Sequence, residues 1–239
     1  MSLYEFLTEW LSRPDVWSGP DSIPARLGEH LLYSLIAIAI GAVFAVPLGL
    51  YLGNRGRGEV FVLTLANTIR ALPTLGLLTL VVLMTGIGLL PPLFALVVLA
   101  FPPLLINTFE GVRSLEPTVI DAAKGMGYNR ARVIGLVQLP MSMPYIVLGL
   151  RLASIQVISA ATIAAYVGLG GLGRYIFDGL SRRDFGSVLG GSILVALLSI
   201  VGELLLILVG KLLISPGLQS EKVPNAAGEG LFRTRKVTA

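Results

Sequence analysis

The stretch that decides the fold covers residues 71–109 and reads ALPTLGLLTLVVLMTGIGLLPPLFALVVLAFPPLLINTF, 39 residues without a charged side chain. A helix crosses the hydrocarbon core of a bilayer with about 20 apolar residues, so this stretch is long enough for two crossings. Gly86, Gly88 and the Pro91–Pro92 pair interrupt it near its middle, where glycine and proline favour a break. It therefore predicts two membrane-spanning helices joined by a short turn.

The whole chain has the composition of a membrane protein. Its 239 residues are 54% hydrophobic and 13% charged, with a mean hydropathy of +0.83, whereas soluble domains carry about 25% charged residues. We predict an all-α membrane protein with about five transmembrane helices, the second of them broken at Pro73. The predicted spans are 31–52, 60–84, 92–110, 143–165 and 188–212.

Three regions follow from this division. Residues 1–29 form an N-terminal extracytoplasmic or interfacial segment, in which 3–11 are amphipathic and predict a short helix at the membrane surface. Residues 30–213 form the transmembrane domain, with a polar loop at 111–142. Residues 214–239 predict a disordered cytoplasmic tail.

The orientation follows from lysine and arginine, which collect on the cytoplasmic side of membrane proteins. With five spans, one side holds five of these residues and the other holds eleven, so we expect the N-terminus outside and the C-terminus in the cytoplasm. The richer side carries Arg55, Arg57, Arg113, Lys124, Arg130, Arg132, Lys211, Lys222, Arg233, Arg235 and Lys236.

The polar loop contains DAAKGMGYNRARVIGLVQLP at residues 121–140. It predicts a helix over 118–123, capped by Thr118 or Asp121 and ended by glycines, and a second segment over 128–138. Pro140 and Pro144 predict the return to the membrane. Patterning alone favours an ordinary amphipathic loop over a knob that a soluble partner grips.

The loop resembles the one shared by permeases of ATP-binding-cassette (ABC) importers: Glu-Ala-Ala, three residues, Gly, nine residues, Ile, one residue, Leu-Pro. The spacing matches throughout, with Asp121 in place of Glu and Val137 in place of Ile. In that family the loop is the coupling helix, which docks on the ATPase subunit. The residues that the resemblance assigns to ATPase coupling are Asp121, Ala122, Ala123, Lys124, Gly125, Met126, Gly127, Val137, Leu139 and Pro140.

The resemblance also implies the rest of the assembly. It implies the MetI-like ABC importer permease fold, in the inner membrane of a prokaryote. The chain itself would be non-catalytic and bind no cofactor or metal, because ATP and Mg belong to the ATPase. Its partners would be two ATPase subunits, an identical or homologous second permease, and an extracytoplasmic substrate-binding protein, but no nucleic acid.

Several stretches are most similar to permeases that import osmoprotectants such as glycine betaine, choline, carnitine or proline betaine. They are HLLYSLIAIAIG (30–41), PLGLYLG (47–53), RALPTLGLL (70–78), and the longer stretches 86–112 and 149–180. The alternative is a permease for methionine or another small amino acid, which shares the fold and the coupling loop.

The pathway and gate candidates are polar or glycine residues in or beside the spans: Arg70, Pro73, Asn107, Arg151, Gly168, Gly170, Gly171 and Gly173. Arg70 precedes the break at Pro73, where a broken helix can line a pathway. We expect Arg151 to extend its side chain to the inner surface and Glu203 to pair helices or subunits. The segment 168–173 fits a flexible turn and a gate equally well, and His30 predicts a solvated interfacial side chain.

Two other classes of protein fit less well. A membrane-embedded enzyme needs converging reactive groups, but the chain has one histidine and no cysteine. A channel or secondary carrier does not need the coupling loop. The low aromatic content, 8%, also provides no cage for a quaternary ammonium, so we expect a separate binding protein to select the substrate.

Overall fold

The computed structural model describes residues 2–56 and 58–214, and the regular secondary structure of these residues is helical. The predicted disordered tail therefore lies outside the described residues, apart from Ile214. The helices are α1 (Leu3–Leu11), α2 (Ile23–Arg55), α3 (Glu59–Ala71), α4 (Thr74–Thr85), α5 (Leu90–Arg113), α6 (Pro117–Gly125), α7 (Arg130–Arg132), α8 (Leu139–Met141), α9 (Met143–Ala164), α10 (Gly173–Arg182) and α11 (Phe185–Leu213).

The described residues contain four helices that are long and apolar enough to cross a membrane, namely α2, α5, α9 and α11. Helices α3 and α4 together make a fifth candidate span, bent by 86° at Leu72–Pro73. Four of the five predicted spans are thus present, and the predicted break at Pro73 is confirmed. The bent pair is the fifth span if it crosses the membrane as one unit. Proline favours the break, because its ring and its missing N–H weaken a helix that continues through it, although α5 accommodates Pro102 and Pro103.

Small residues bring α2 and α5 into close contact. Gly49 and Gly53 lie very close to α5. A Cβ atom added to Gly49 would lie 2.8 Å from the Cβ of Thr108, and one added to Gly53 would lie 2.7 Å from the Cβ of Val112. Ala45, one turn before Gly49, is fully buried. Small residues four apart let helix backbones approach in membranes, and this pattern was visible in the sequence.

Helix α9 packs on the other side of α5. Gly149 lies against the backbone carbonyl of Pro103, which would be 3.0 Å from an added Cβ, and Gly111 of α5 lies against Tyr145. Helix α5 is therefore enclosed by α2 and α9. The large side chains buried in this core include Leu96, Leu104, Leu105, Phe109 and Val157.

The bundle has two ends. The α1 end contains α1, α10 and the beginnings of α2 and α11, and the α6 end contains α6–α8 and the last turns of α2 and α5. Arg13, Arg26 and Arg174 lie in the elements of the α1 end, and Arg55, Arg113 and Arg130 in those of the α6 end. The two groups of basic residues that the sequence separated therefore lie at opposite ends.

Helix α1 forms over residues 3–11 as predicted, begun by a capping box in which Ser2 and Glu5 bond each other's backbone N–H. Its position at the membrane surface stays a prediction, but one side of the helix packs on the bundle. Trp10 is 2% exposed and packs on Gly186 and Gly190 of α11. Two glycines without side chains leave the groove that the indole fills.

Candidate functional site

Helix α6 is the first half of the predicted coupling loop. It begins at Pro117, with Glu116 at the N-cap and no side-chain capping bond, so the predicted caps at Thr118 and Asp121 are wrong. Proline suits the first helical position because its φ is already helical and no N–H is needed there. Asp121 lies one turn further on and forms an ion pair of 3.0 Å with Lys124.

The glycines end this helix as the sequence predicted. Gly127 has φ of +83°, and its N–H donates to the carbonyl of Lys124 at 2.9 Å. The N–H of Tyr128 reaches back to the carbonyl of Ala123 at 3.1 Å. Together these bonds form a Schellman motif, which needs a left-handed residue and therefore favours glycine. The turn between the two halves of the loop is thus well ordered.

The second half is one continuous helical segment that changes type along its length. Asn129 caps α7 by accepting from the N–H of Arg132, a π-helical turn follows at Val133–Gln138, and α8 completes it. Pro140 lies inside this segment and does not mark the return to the membrane. The break falls at Ser142, and Pro144, in the first turn of α9, marks the return as predicted.

Only part of the predicted coupling set is accessible. Ala122, Met126 and Gly127 are exposed, and Met126 retains 69% of its surface. Ala123 is 2% exposed and packs within the chain, so its predicted role in coupling is not a direct contact of an exposed side chain. In the second half, Val137 and Leu139 are half-buried and Pro140 is exposed. Lys124 and Gly125 are exposed as well.

The loop is fastened to the end of α2 by a contact that sequence reasoning missed. The side-chain amide of Asn54 donates to Gln138 at 2.9 Å, and its oxygen accepts from Nε of Arg130 at 2.7 Å. The guanidinium groups of Arg55 and Arg130 both lie over the ring of Tyr51, at 4.5 and 5.6 Å from its centre. Apart from Arg55 and Tyr51, which are one helical turn apart, these pairs are separated by about 80 residues and leave no local signal.

The pathway candidates do not all lie together in the structure. Arg70 and Thr74 line a cavity of about 450 Å³ at the break between α3 and α4, together with Pro102 and Pro103. Asn107 does not line this cavity. Its amide instead donates to the carbonyl of Pro103 at 2.6 Å, one turn back in α5.

Arg151 does not extend to the inner surface, so that expectation is wrong. Its Nε donates to Oε1 of Glu203 at 2.8 Å, and a terminal nitrogen contacts the same oxygen. The pair joins α9 to α11, which confirms the helix-pairing role expected for Glu203. Its Oε2 is buried and has no hydrogen-bond partner among the described residues.

The glycine segment 168–173 is anchored against α2, which contradicts the flexible turn. Gly168, Gly170 and Gly171 have φ of +95°, +89° and +75°, and Gly173 begins α10. The N–H of Gly171 donates to Glu29 at 2.8 Å. The gate role stays a prediction.

His30 is 1% exposed, so the expected solvated side chain is wrong. Its Nδ1 accepts from the N–H of Leu172 at 3.3 Å, and its Nε2 lies 3.1 Å from the carbonyl of Ile158. The single histidine therefore joins α2, α9 and the glycine segment.

The electrostatics of the α1 end centre on Arg13 and Asp184, whose side chains approach to 2.6 Å. Partial burial alone would raise the pKa of Asp184, but hydrogen bonds from Arg13 and Ser187 outweigh it and lower the pKa to about 2. At Tyr175 burial dominates and raises the pKa to about 12. The sequence also predicted no helix here, although α10 forms over Gly173–Arg182.

Comparison with known proteins identifies the family of this chain. Residues 45–215 match the family described as "Binding-protein-dependent transport system inner membrane component". The chain belongs to this family. It is accordingly an inner-membrane permease component with several membrane-spanning helices, as the resemblance of its loop predicted.

Individual relatives point in the same direction. Over 197 residues the chain is 34% identical to the glycine betaine/carnitine/choline transport system permease protein OpuCB of Bacillus subtilis, which covers 82% of this chain and 91% of the relative. It is 36% identical over 194 residues to the choline transport system permease protein OpuBB of the same organism, covering 81% and 89%. It is 38% identical over 175 residues to the carnitine transport permease protein OpuCB of Listeria monocytogenes, covering 73% and 80%.

A solved structure confirms the fold. A chain of the MetNI methionine ABC transporter in an inward-facing conformation superposes with a TM-score of 0.66, covering 84% of this chain and 96% of the other. The two are 23% identical. The permease fold of the methionine transporter is therefore shared.

Proposed function

We propose that this chain is the transmembrane permease subunit of an ATP-driven importer for osmoprotectants, such as glycine betaine, choline, carnitine or proline betaine. The single observation that carries the proposal is identity of 34–38% to permeases named for glycine betaine, carnitine and choline, over most of both chains. The alternative, import of methionine or another small amino acid, has support only from the shared fold at 23% identity.

In this proposal the chain carries out no chemistry. ATP and Mg bind to two ATPase subunits on the cytoplasmic side, which is the α6 end, and a substrate-binding protein docks at the α1 end. The N-terminus then lies outside. A second permease, identical or homologous, completes the pathway.

The α6–α8 loop supplies the mechanical link. Its exposed face, with Ala122 and Met126, is accessible to a partner, while the Schellman turn at Gly127 holds its two halves in one arrangement. Asn54 connects this loop to the last turn of α2. Because α2 and α5 are in close contact through glycines, a displacement of the loop moves both spans together.

Uptake by proteoliposomes tests the proposed substrates. We expect the complete complex, with its ATPase and binding protein, to accumulate labelled glycine betaine, carnitine or choline only when ATP is supplied inside the vesicles. Methionine serves as the competing substrate. Uptake of methionine without any of the three osmoprotectants would overturn the assignment.

A substitution at Ala122 tests the coupling role. Tryptophan at this exposed position has room in the isolated chain but would obstruct a docked ATPase, so we expect assembly to weaken and uptake to fall about tenfold or more, the effect of about 1.4 kcal/mol. The matched control is Ala39→Trp, on an exposed face of α2 away from the loop. Normal ATP-driven uptake with Ala122→Trp would rule out docking through this face.

A further inference from the structure

The cavity beside Arg70 lies near the middle of the spanning helices α5 and α9. Pro102 and Pro103 are at the middle of α5 (Leu90–Arg113), and Gln156 is near the middle of α9 (Met143–Ala164). The third wall is the break between α3 and α4. A broken helix near the midplane is the arrangement in which transporters expose backbone and polar side chains to a substrate.

Arg70 is the only charged residue in the lining of this cavity, and it forms no hydrogen bond or ion pair with any described residue. Arg70 lies in the last turn of α3, beside the break, and is exposed in the isolated chain. A charged side chain within the membrane-spanning part of a protein is costly and usually has a function there. Arginine cannot escape the cost by losing its proton. An anionic group in the cavity would compensate the charge of Arg70 and so lower this cost.

A second copy of this chain has no spare mid-span acid to neutralise Arg70. Among the described residues, Glu203 is the acidic side chain nearest the middle of a spanning helix, and Arg151 already holds it. Glu59 and Glu110 lie near helix ends at the α6 end. With an identical copy as the second permease, the anion comes from a molecule that enters the cavity.

The other lining groups favour the carboxylate of a small zwitterion. Thr74 and Gln156 add a hydroxyl and an amide, and the positive end of the α4 dipole points the same way. The remaining lining residues are aliphatic: Ile69, Leu72, Leu99, Pro102, Pro103, Leu152 and Ile155. The lining has no aromatic ring and no acid, so a quaternary ammonium finds no partner there. The volume of about 450 Å³ lies within the range of small-molecule sites.

We propose that this cavity is a carboxylate-recognition site, in which Arg70 binds the carboxylate of a zwitterionic substrate during transport. The inference rests on the proposed function and narrows it. Glycine betaine and carnitine have the carboxylate, whereas choline is a cation without one and gains nothing from Arg70. The site makes this permease selective for zwitterions, in addition to any selection by the binding protein.

The test compares substrates within one reconstituted complex. Wild type, Arg70→Gln and Arg70→Lys are assembled with the same ATPase and binding protein, and initial uptake of glycine betaine and choline is measured. Loss of the paired hydrogen bonds to the carboxylate predicts a fall of about tenfold or more in the betaine-to-choline ratio for Arg70→Gln. For Arg70→Lys, which keeps the positive charge but lacks the paired N–H donors of the guanidinium, we expect a smaller fall in the betaine-to-choline ratio. Arg182→Gln, an exposed arginine at the α1 end, is the control for loss of charge and leaves the ratio unchanged.

The outcomes separate this inference from the proposed function. If Arg70→Gln lowers both substrates equally or changes neither, the carboxylate site is refuted while osmoprotectant import stands. If that variant does not assemble, the ratio for Arg70→Lys decides by the same criterion. If wild type transports neither compound, the proposal of osmoprotectant import is refuted. Uptake of methionine is then compared with uptake of methioninamide, whose carboxylate is blocked. If Arg70→Gln lowers the uptake of these two compounds equally, the carboxylate-recognition site is refuted as well.

Discussion

The ion pair between Arg151 and Glu203 gives the most direct test of how the spans are held together. Both side chains lie in apolar helices and remain 33% and 24% exposed in the chain. Removing one partner of a buried pair costs about 3–5 kcal/mol, and a lone arginine at a helix centre in a membrane costs about 2.5–3.5 kcal/mol. Because the pair is not fully buried, we expect the lower part of this range.

The two single substitutions should differ. Glu203→Gln leaves an arginine that stays charged, so we expect a loss of about 3 kcal/mol in the free energy of unfolding. Arg151→Met leaves a carboxyl that can take up a proton, so we expect about 2 kcal/mol. The double variant Arg151→Met with Glu203→Gln removes both charges and should cost about 2 kcal/mol, about 3 kcal/mol less than the sum of the two single losses.

The measurement is reversible unfolding in mixed micelles with increasing dodecyl sulfate, followed by loss of helical circular dichroism. All four proteins of the double-mutant cycle are compared under one condition. If the two single losses add to the loss of the double variant within about 0.5 kcal/mol, the residues do not interact in the folded protein. An arginine that extends to the membrane surface would give that additive result.

Two further predictions concern the α1 end. In Gly190→Ala the new Cβ would lie 2.2 Å from the ring of Trp10, so we expect the free energy of unfolding to fall by about 1–3 kcal/mol. The measurement is the temperature of thermal aggregation, which should fall and should partly recover when Trp10→Val is added. No recovery would mean that the indole does not fill this groove. For Asp184, whose pKa is lowered from 3.8 to about 2, the stability from pairing with Arg13 is complete above about pH 4 and is lost as pH falls through about 2. Asp184→Asn should remove this part of the pH dependence of the melting temperature, and an unchanged profile would contradict the pairing.

The parts of the fold that the sequence predicted are those with local signals. The charge-free stretch 71–109 marked two spans, because in a bilayer length and polarity decide the crossing. Pro73 marked the break, and Gly49 and Gly53 marked the close approach of two helices. The turn at Gly127 was predictable because its left-handed backbone favours glycine.

The parts that the sequence did not predict depend on residues distant in the chain. Arg151 and Glu203 are 52 residues apart, and either one alone is consistent with a surface role. His30 has its partners 128 and 142 residues away. The exposure of Ala122 beside the buried Ala123 depends on the way α6 packs, which its small residues do not reveal. Only the three-dimensional structure brings these groups together.

The contact between α1 and α11 has a consequence for the synthesis of this protein. Arg13 is made early, but its partner Asp184 follows 171 residues later, and the glycine groove for Trp10 lies in the last span. Helix α1 therefore emerges long before its binding surface exists. It can dock only after α11 has been inserted, so a helix that is made early packs late, and a chain truncated before α11 leaves Trp10 without its groove.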